Sequence, residues 1–155
     1  LPVQKPCPPI LIGGGGPRVL KLATQLADII GVNPSLKDGV VNGETIKDMS
    51  AEAVQEKIDI ITANAGTRMP DIELNVRTFL VNIRDSAQEA IEGTANMFKV
   101  DPSLVANSPF AILGPPAKIA EDLLARRERW GFSYVIVGGE DVEKFAPVIK
   151  ILAGK

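Results

Sequence analysis

Four times along the chain a short apolar run ends in turn residues and passes into a stretch whose apolar residues recur at spacings of three and four, and no two strand-like runs meet across a hairpin turn. Strands separated by helices require a parallel sheet with right-handed crossovers. The predicted strands cover residues 9–13, 28–32, 72–83 and 133–137. The first helix should bury Val19, Leu22, Ala23, Leu26 and Ile30 on one face. Ser50 reads as the N-cap of a second helix, with Val54, Ile58, Ile61 and Ala65 inward and Gly66 closing it. Ser86-Ala87-Gln88-Glu89 matches a capping box and opens a helix to about residue 99. Pro115 and Pro116 suit a first helical turn, followed by Ile119, Leu123, Leu124 and Trp130 up to Gly131. The last helix starts at Asp141, kinks or restarts at Pro147, and should bury Val142, Phe145, Val148, Ile149 and Leu152. Residues 35–48 and 100–114 read as loops. Two α/β architectures fit: a small doubly wound sheet, or four βα units of an eightfold barrel.

The stretch "ILIGGGGPRVLKLA", residues 10–23, puts four glycines between the first strand and its helix. A parallel strand delivers the chain to the sheet's carboxyl edge, where ligands bind in both architectures. Without Cβ atoms, the amides of Gly13, Gly14, Gly15 and Gly16 can approach a ligand closely, and the helix from Pro17 adds a partial positive charge. Phosphate is the natural guest, and Arg18 could add a full charge. The plainer alternative is a sharp turn and tight strand–helix packing, for which one or two glycines suffice. The dinucleotide fingerprint does not fit, because Arg18 stands where GxGxxG counted from Gly13 requires glycine; no Gly-Lys-Ser/Thr follows for a phosphate-binding P-loop.

Composition narrows the chemistry. The 155 residues contain no histidine, so no Ser-His or Cys-His pair can form within them. The one cysteine, Cys7, lies in a proline-rich lead and offers neither a disulfide framework nor a metal pair, which suits a reducing cytoplasm. Basic residues are scattered apart from Arg126, Arg127 and Arg129, which read as a solvated helix face beside Glu121, Asp122 and Glu128; no nucleic-acid partner is expected. No apolar run approaches the ~20 residues of a membrane span, and the opening residues lack the order of a signal peptide.

"PPILIGGGGPRVLKLATQLADIIGVNP" (residues 8–34), "SPFAILGPPAKIAEDLLARRERWGFSYVIV" (residues 108–137) and "KFAPVIKILAG" resemble, in order, segments of the bacterial-luciferase-like flavin and deazaflavin oxidoreductases. The resemblance covers nearly the whole chain. It implies a (β/α)8 barrel roughly twice this length, of which this single domain is the carboxyl-terminal half, with residues 1–8 as a connector. It also implies hydride transfer to or from a small-molecule substrate through coenzyme F-420 or FMN. Gly13, Gly14, Gly15 and Gly16 would hold the cofactor's phosphate end, with Arg18 beside them. The resemblance identifies no catalytic residue or metal ligand here, since ring and substrate residues lie largely in the other half. One departure is Pro115, where the family carries Thr or Ser. Asn33 and Asn82, near predicted strand ends, either face the pocket or cap loops.

Four strands taken from a barrel leave two open edges, and residues such as Leu80, Val81, Val135 and Ile136 would meet water or a partner. Burying one such side chain contributes roughly 1.5–3 kcal/mol against a net stability of about 5–15 kcal/mol. The expectation is therefore association, either as a homo-oligomer or with a complementing barrel half. The competing functional reading is a noncatalytic phosphate- or nucleotide-binding module that acts through another chain.

Overall fold

The computed structural model describes residues 3–36 and 39–154. The chain runs β1 (Leu11–Gly14), α1 (Pro17–Leu26), β2 (Ile29–Val32), α2 (Gly43–Lys47), α3 (Ala51–Ala65), β3 (Glu73–Arg77), β4 (Leu80–Ile83), α4 (Ala87–Phe98), α5 (Pro102–Ala106), β5 (Ala111–Gly114), α6 (Pro116–Trp130), β6 (Phe132–Ile136) and α7 (Val142–Leu152). Short 3-10 turns at Gly66–Asp71 and Gly139–Asp141 follow α3 and precede α7. The expected connector and the loop over residues 35–48 fall partly outside the described residues, at 1–2 and 37–38.

Local chemistry sets the helix ends. Ser50 Oγ accepts the Ala53 amide at 3.1 Å and Ser86 Oγ accepts the Glu89 amide at 3.2 Å, so both expected N-caps form. Gly131 ends α6 with φ 80°, a left-handed conformation that favours glycine. Val54, Ile58, Ile61 and Ala65 are buried along α3 as the spacing requires.

The main sheet has the order β1-β2-β3-β6, every pair parallel. Its four strands succeed one another around the sheet without a reversal, which a doubly wound sheet would show. Register separates its two faces. Ile12, Ile30, Leu74 and Phe132 form one row and Gly14, Val32, Val76 and Val135 the next, and these pack into the helix-covered core. The alternate positions point the other way, where Leu11 is 45 % and Tyr134 39 % exposed. One face under helices and one face open is the plan of a partial (β/α)8 barrel.

Three sequence expectations need correction. The stretch 72–83 is two strands, not one: at Thr78 the chain leaves the sheet, and β4 pairs instead with β5, inside the segment expected to be a loop. The tract Ala111–Gly114 is buried at every position, too short and too close to Pro109 to stand out by periodicity. Residues 35–48 likewise include the short α2. Secondly, α1 buries Leu20, Ala23 and Thr24, with Ala27 buried just past its end, and leaves Val19, Leu22 and Leu26 at 40–56 % exposure. α7 similarly buries Phe145 and Val148 and exposes Val142 and Ile149. Pro147 sits inside a continuous α7. Thirdly, Leu80 is buried with the β4–β5 ribbon rather than facing outward.

The ribbon is fastened by Arg126, which belongs to no solvated face. Its Nη1 donates to the carbonyls of Ala111 at 2.7 Å and Pro109 at 3.3 Å, and burial lowers the guanidinium pKa against the opposing pull of Asp122. Arg127 and Arg129 are exposed as expected, and Arg129 lies 4.3 Å over the Trp130 ring.

Candidate functional site

In a parallel sheet all carboxyl ends share one rim, so the Gly13–Gly16 turn opens beside the ends of β2 at Asn33, β3 at Arg77 and β6 at Ile136. The four glycines have different jobs. A Cβ on Gly14 would stand 2.5 Å from Val19 Cγ1, and one on Gly15 would stand 2.2 Å from the Asn33 carbonyl oxygen. Those two positions are therefore glycine for packing, which is the plainer reading. A Cβ on Gly13 would meet the end of the Asn33 side chain at 2.9 Å and the Gly31 carbonyl oxygen at 3.9 Å, and one on Gly16 would meet nothing within 4 Å. The turn keeps open space where α1 begins.

That helix start is suited to an anion. Gly16 is the N-cap, no side chain caps the first turn, and no acidic residue lies in it. Pro17 takes the first helical position, where no N–H partner is lost. Arg18 is exposed on the outer side of α1, in a shallow groove with Lys21, Leu22 and Gln25. The other glycine pair on the rim, Gly138-Gly139 after β6, leads into a turn carrying Glu140 and Asp141 and is unsuited to phosphate.

The open face of the sheet supplies residues that the glycine motif does not show. Gly13, Gly31, Asn75 and Tyr134 stand in one register row. Deeper in the face, Ser133 Oγ donates to Glu73 Oε1 at 3.0 Å. Toward the rim, Arg77 is exposed and its guanidinium lies 5.6 Å from the Phe79 ring centroid. A register shift between Leu74 and Asn75 lets Ser133 and Tyr134 both reach the open side. The alternation Glu73, Asn75, Arg77 against Leu74 and Val76 carries this signal in the sequence, since a strand with one face on a core shows that period.

Of the two asparagines, Asn33 stands at the mouth over Gly13. Asn82 belongs to β4, in the separate β4–β5 sheet; it donates to the Ala90 carbonyl at 3.2 Å and accepts from Arg84 Nε at 3.1 Å. Among the described residues no His/Cys/Asp/Glu group could hold a metal, and no helix is long and apolar enough to cross a membrane.

No family model and no curated protein sequence matches the chain. Solved structures do. The coenzyme F-420 dependent tetrahydromethanopterin reductase from Methanopyrus kandleri aligns over 91 % of this chain and 48 % of its own, with 20 % identity and a TM-score of 0.56. A long-chain alkane monooxygenase, LadA, aligns over 94 % of this chain and 41 % of its own, with 14 % identity and a TM-score of 0.54. The chain thus spans under half the length of either structure. At these identities the likeness shows the fold: the chain is built as part of a (β/α)8 barrel.

Proposed function

We propose that this chain is part of a luciferase-like oxidoreductase that uses coenzyme F-420 or FMN, and that it contributes the portion of the barrel holding the cofactor's phosphate end. The observation that carries the reading is the start of α1: an N-cap at Gly16 with nothing within 4 Å of its Cβ direction and no side-chain cap or acid in the first turn. The likeness of fold to a reductase described as F-420 dependent supports it. Gly16 and the free amides of Arg18 and Val19 would bind phosphate oxygens, with the Arg18 guanidinium adding charge from outside the turn. Gly14 and Gly15 bring β1 and α1 close enough to form the cradle. Bound there, the cofactor supplies hydride chemistry; the protein supplies position.

Gly16→Asp tests this. An aspartate at the N-cap accepts first-turn amides and places a carboxylate where the phosphate belongs, so it should stabilise α1 by a few tenths of a kcal/mol while weakening FMN. Riboflavin, which has the ring without the phosphate, should be unaffected. Equal FMN affinity in wild type and G16D would remove the phosphate cradle.

The site also needs a second wall. β1 and β6 each have one unpaired edge, and Val19, Leu22 and Leu26 form an exposed apolar stripe on α1 beside one of them. We propose that a complementing half-barrel covers these edges, and that in a solution of this chain alone a second copy takes that place.

A further inference from the structure

The helices beside the two open edges of the sheet carry complementary outer faces. α1 joins β1 to β2 and has α3 for a neighbour: Thr24 Oγ1 lies 3.4 Å from the Asn64 carbonyl oxygen of that helix. Leu22 and Leu26 stand two residues to either side of Thr24, about 160° around the helix from it, so their stripe with Val19 looks past the edge of β1. At the other edge α7 follows β6, and its Phe145 and Val148 pack with Ile119, Ala120 and Leu123 of α6. Val142 and Ile149, about half exposed, stand off that contact. Val19 and Leu26 are seven residues apart, as are Val142 and Ile149, so both stripes run two turns, about 10 Å.

The two stripes also lie on opposite flanks. From the buried Leu20, Ala23, Thr24 and Ala27 the α1 stripe is reached by turning one way about the helix axis, through roughly 120°; from Phe145 and Val148 the α7 stripe is reached by turning the other way, through roughly 80°. Parallel helices that meet side by side need that relation. Arg18 precedes Val19 and Glu143 follows Val142, which puts both on the solvent side of such a seam, within one turn of each other and opposite in charge. Lys21 adds to the basic side, and Lys144 lies about 160° around α7 from Val142, off the seam. We propose that two copies of this chain close an eight-stranded parallel barrel, with α1 of each packed parallel against α7 of the other, β1 beside the partner's β6, and Arg18 paired with the partner's Glu143. This rests on the reading that a second copy covers the open edges, and it names the surfaces that do so. The contact occurs twice about a twofold axis and leaves the main sheet no free edge. Closure sets the partner's turn after β6 beside Gly13–Gly16, so each glycine rim is completed by the other copy.

The test uses the 155-residue chain, with Arg18→Glu and Glu143→Arg studied by sedimentation velocity over a range of concentrations. Either variant alone puts like charges at both seams and should raise the dimer dissociation constant about tenfold. Mixed in equal amounts they should associate as wild type does, because each seam of the mixed pair then faces a glutamate with an arginine. That rescue also shows that both variants are folded. Ile149→Glu, on the other helix of the seam, should dissociate the dimer without any change to α1. A wild-type dimer that R18E and E143R each form equally well, or single variants that dissociate and do not recover on mixing, removes this seam and leaves a second copy bound elsewhere. A dimer that survives I149E does the same. A wild type that stays monomeric overturns this seam and the second-copy reading together. None of these outcomes touches the phosphate cradle, which FMN affinity in G16D decides.

Discussion

Gly15→Ala and Gly16→Ala place the same methyl group on adjacent residues and should have opposite consequences. At Gly15 the new Cβ would lie 2.2 Å from the Asn33 carbonyl oxygen, where ordinary contact begins at 3.4 Å, so the strands must part locally by about 1.2 Å. The obstacle is backbone, not a side chain that can rotate. Asn33 N donates to the Gly14 carbonyl at 3.0 Å, and this last rung of the β1–β2 ladder cannot survive such a movement. Overpacking costs about 1–3 kcal/mol and the hydrogen bond about 0.5–1.5 kcal/mol, giving a loss of about 2–4 kcal/mol. For a chain of this size that lowers Tm by roughly 5–15 °C. At Gly16 the methyl meets nothing within 4 Å, and the backbone is extended, φ −87° and ψ 148°, which alanine accepts. The poorer N-cap and the reduced unfolded-state entropy oppose each other, so the change should stay within about 0.5 kcal/mol. Thermal melts of the three proteins followed by circular dichroism, with urea titration as a second measure, decide the matter. A G15A protein as stable as wild type, or a G16A protein as damaged as G15A, would refute the division of the glycine run into packing and open positions.

Arg126→Met leaves the buried Ala111 carbonyl, and that of Pro109, without the guanidinium donor, at about 1–3 kcal/mol for each unsatisfied group, partly offset by removal of a buried charge. A fall in Tm of roughly 5–10 °C is expected; an unchanged melt would show that the ribbon does not depend on this anchor. Leu22→Glu puts a charge in the exposed stripe of α1 and should convert an associated chain into a monomer by light scattering. A wild-type chain already monomeric at high concentration would count against self-association.

Much of the architecture was legible because parallel strands joined by helices announce themselves locally. Ser50 and Ser86 cap helices that their sequence marks, and Gly131 ends one. What escaped was decided by tertiary surroundings. α1 has apolar residues on two sides, and periodicity alone does not say whether Leu20 or Leu22 meets the core; the neighbouring α3 selects Leu20, Ala23 and Thr24. The ribbon was hidden since a buried four-residue strand carries no alternation. The glycine run stands at the carboxyl rim, as a parallel strand requires, but its sequence does not show that two of its four members are fixed by Val19 and Asn33. Asn75 lay in an evident alternation, yet its bond to the Tyr134 carbonyl joins β3 to β6, a relation no single segment of sequence displays.

The shifted register at Ser133 gives this barrel face an unusual means of variation. Because Phe132 pairs with Leu74 while Tyr134 pairs with Asn75, one residue is held outside the ordinary pleat. Deleting it would restore an unbroken pleat with Phe132 still beside Leu74, Tyr134 beside Asn75 and Val135 beside Val76, because the pairs on either side of the shift already stand in regular order. What would be lost is the Ser133 side chain and its bond to Glu73 on the open side. The extra residue thus lets the length of β6, rather than a substitution, set how many polar groups that face carries.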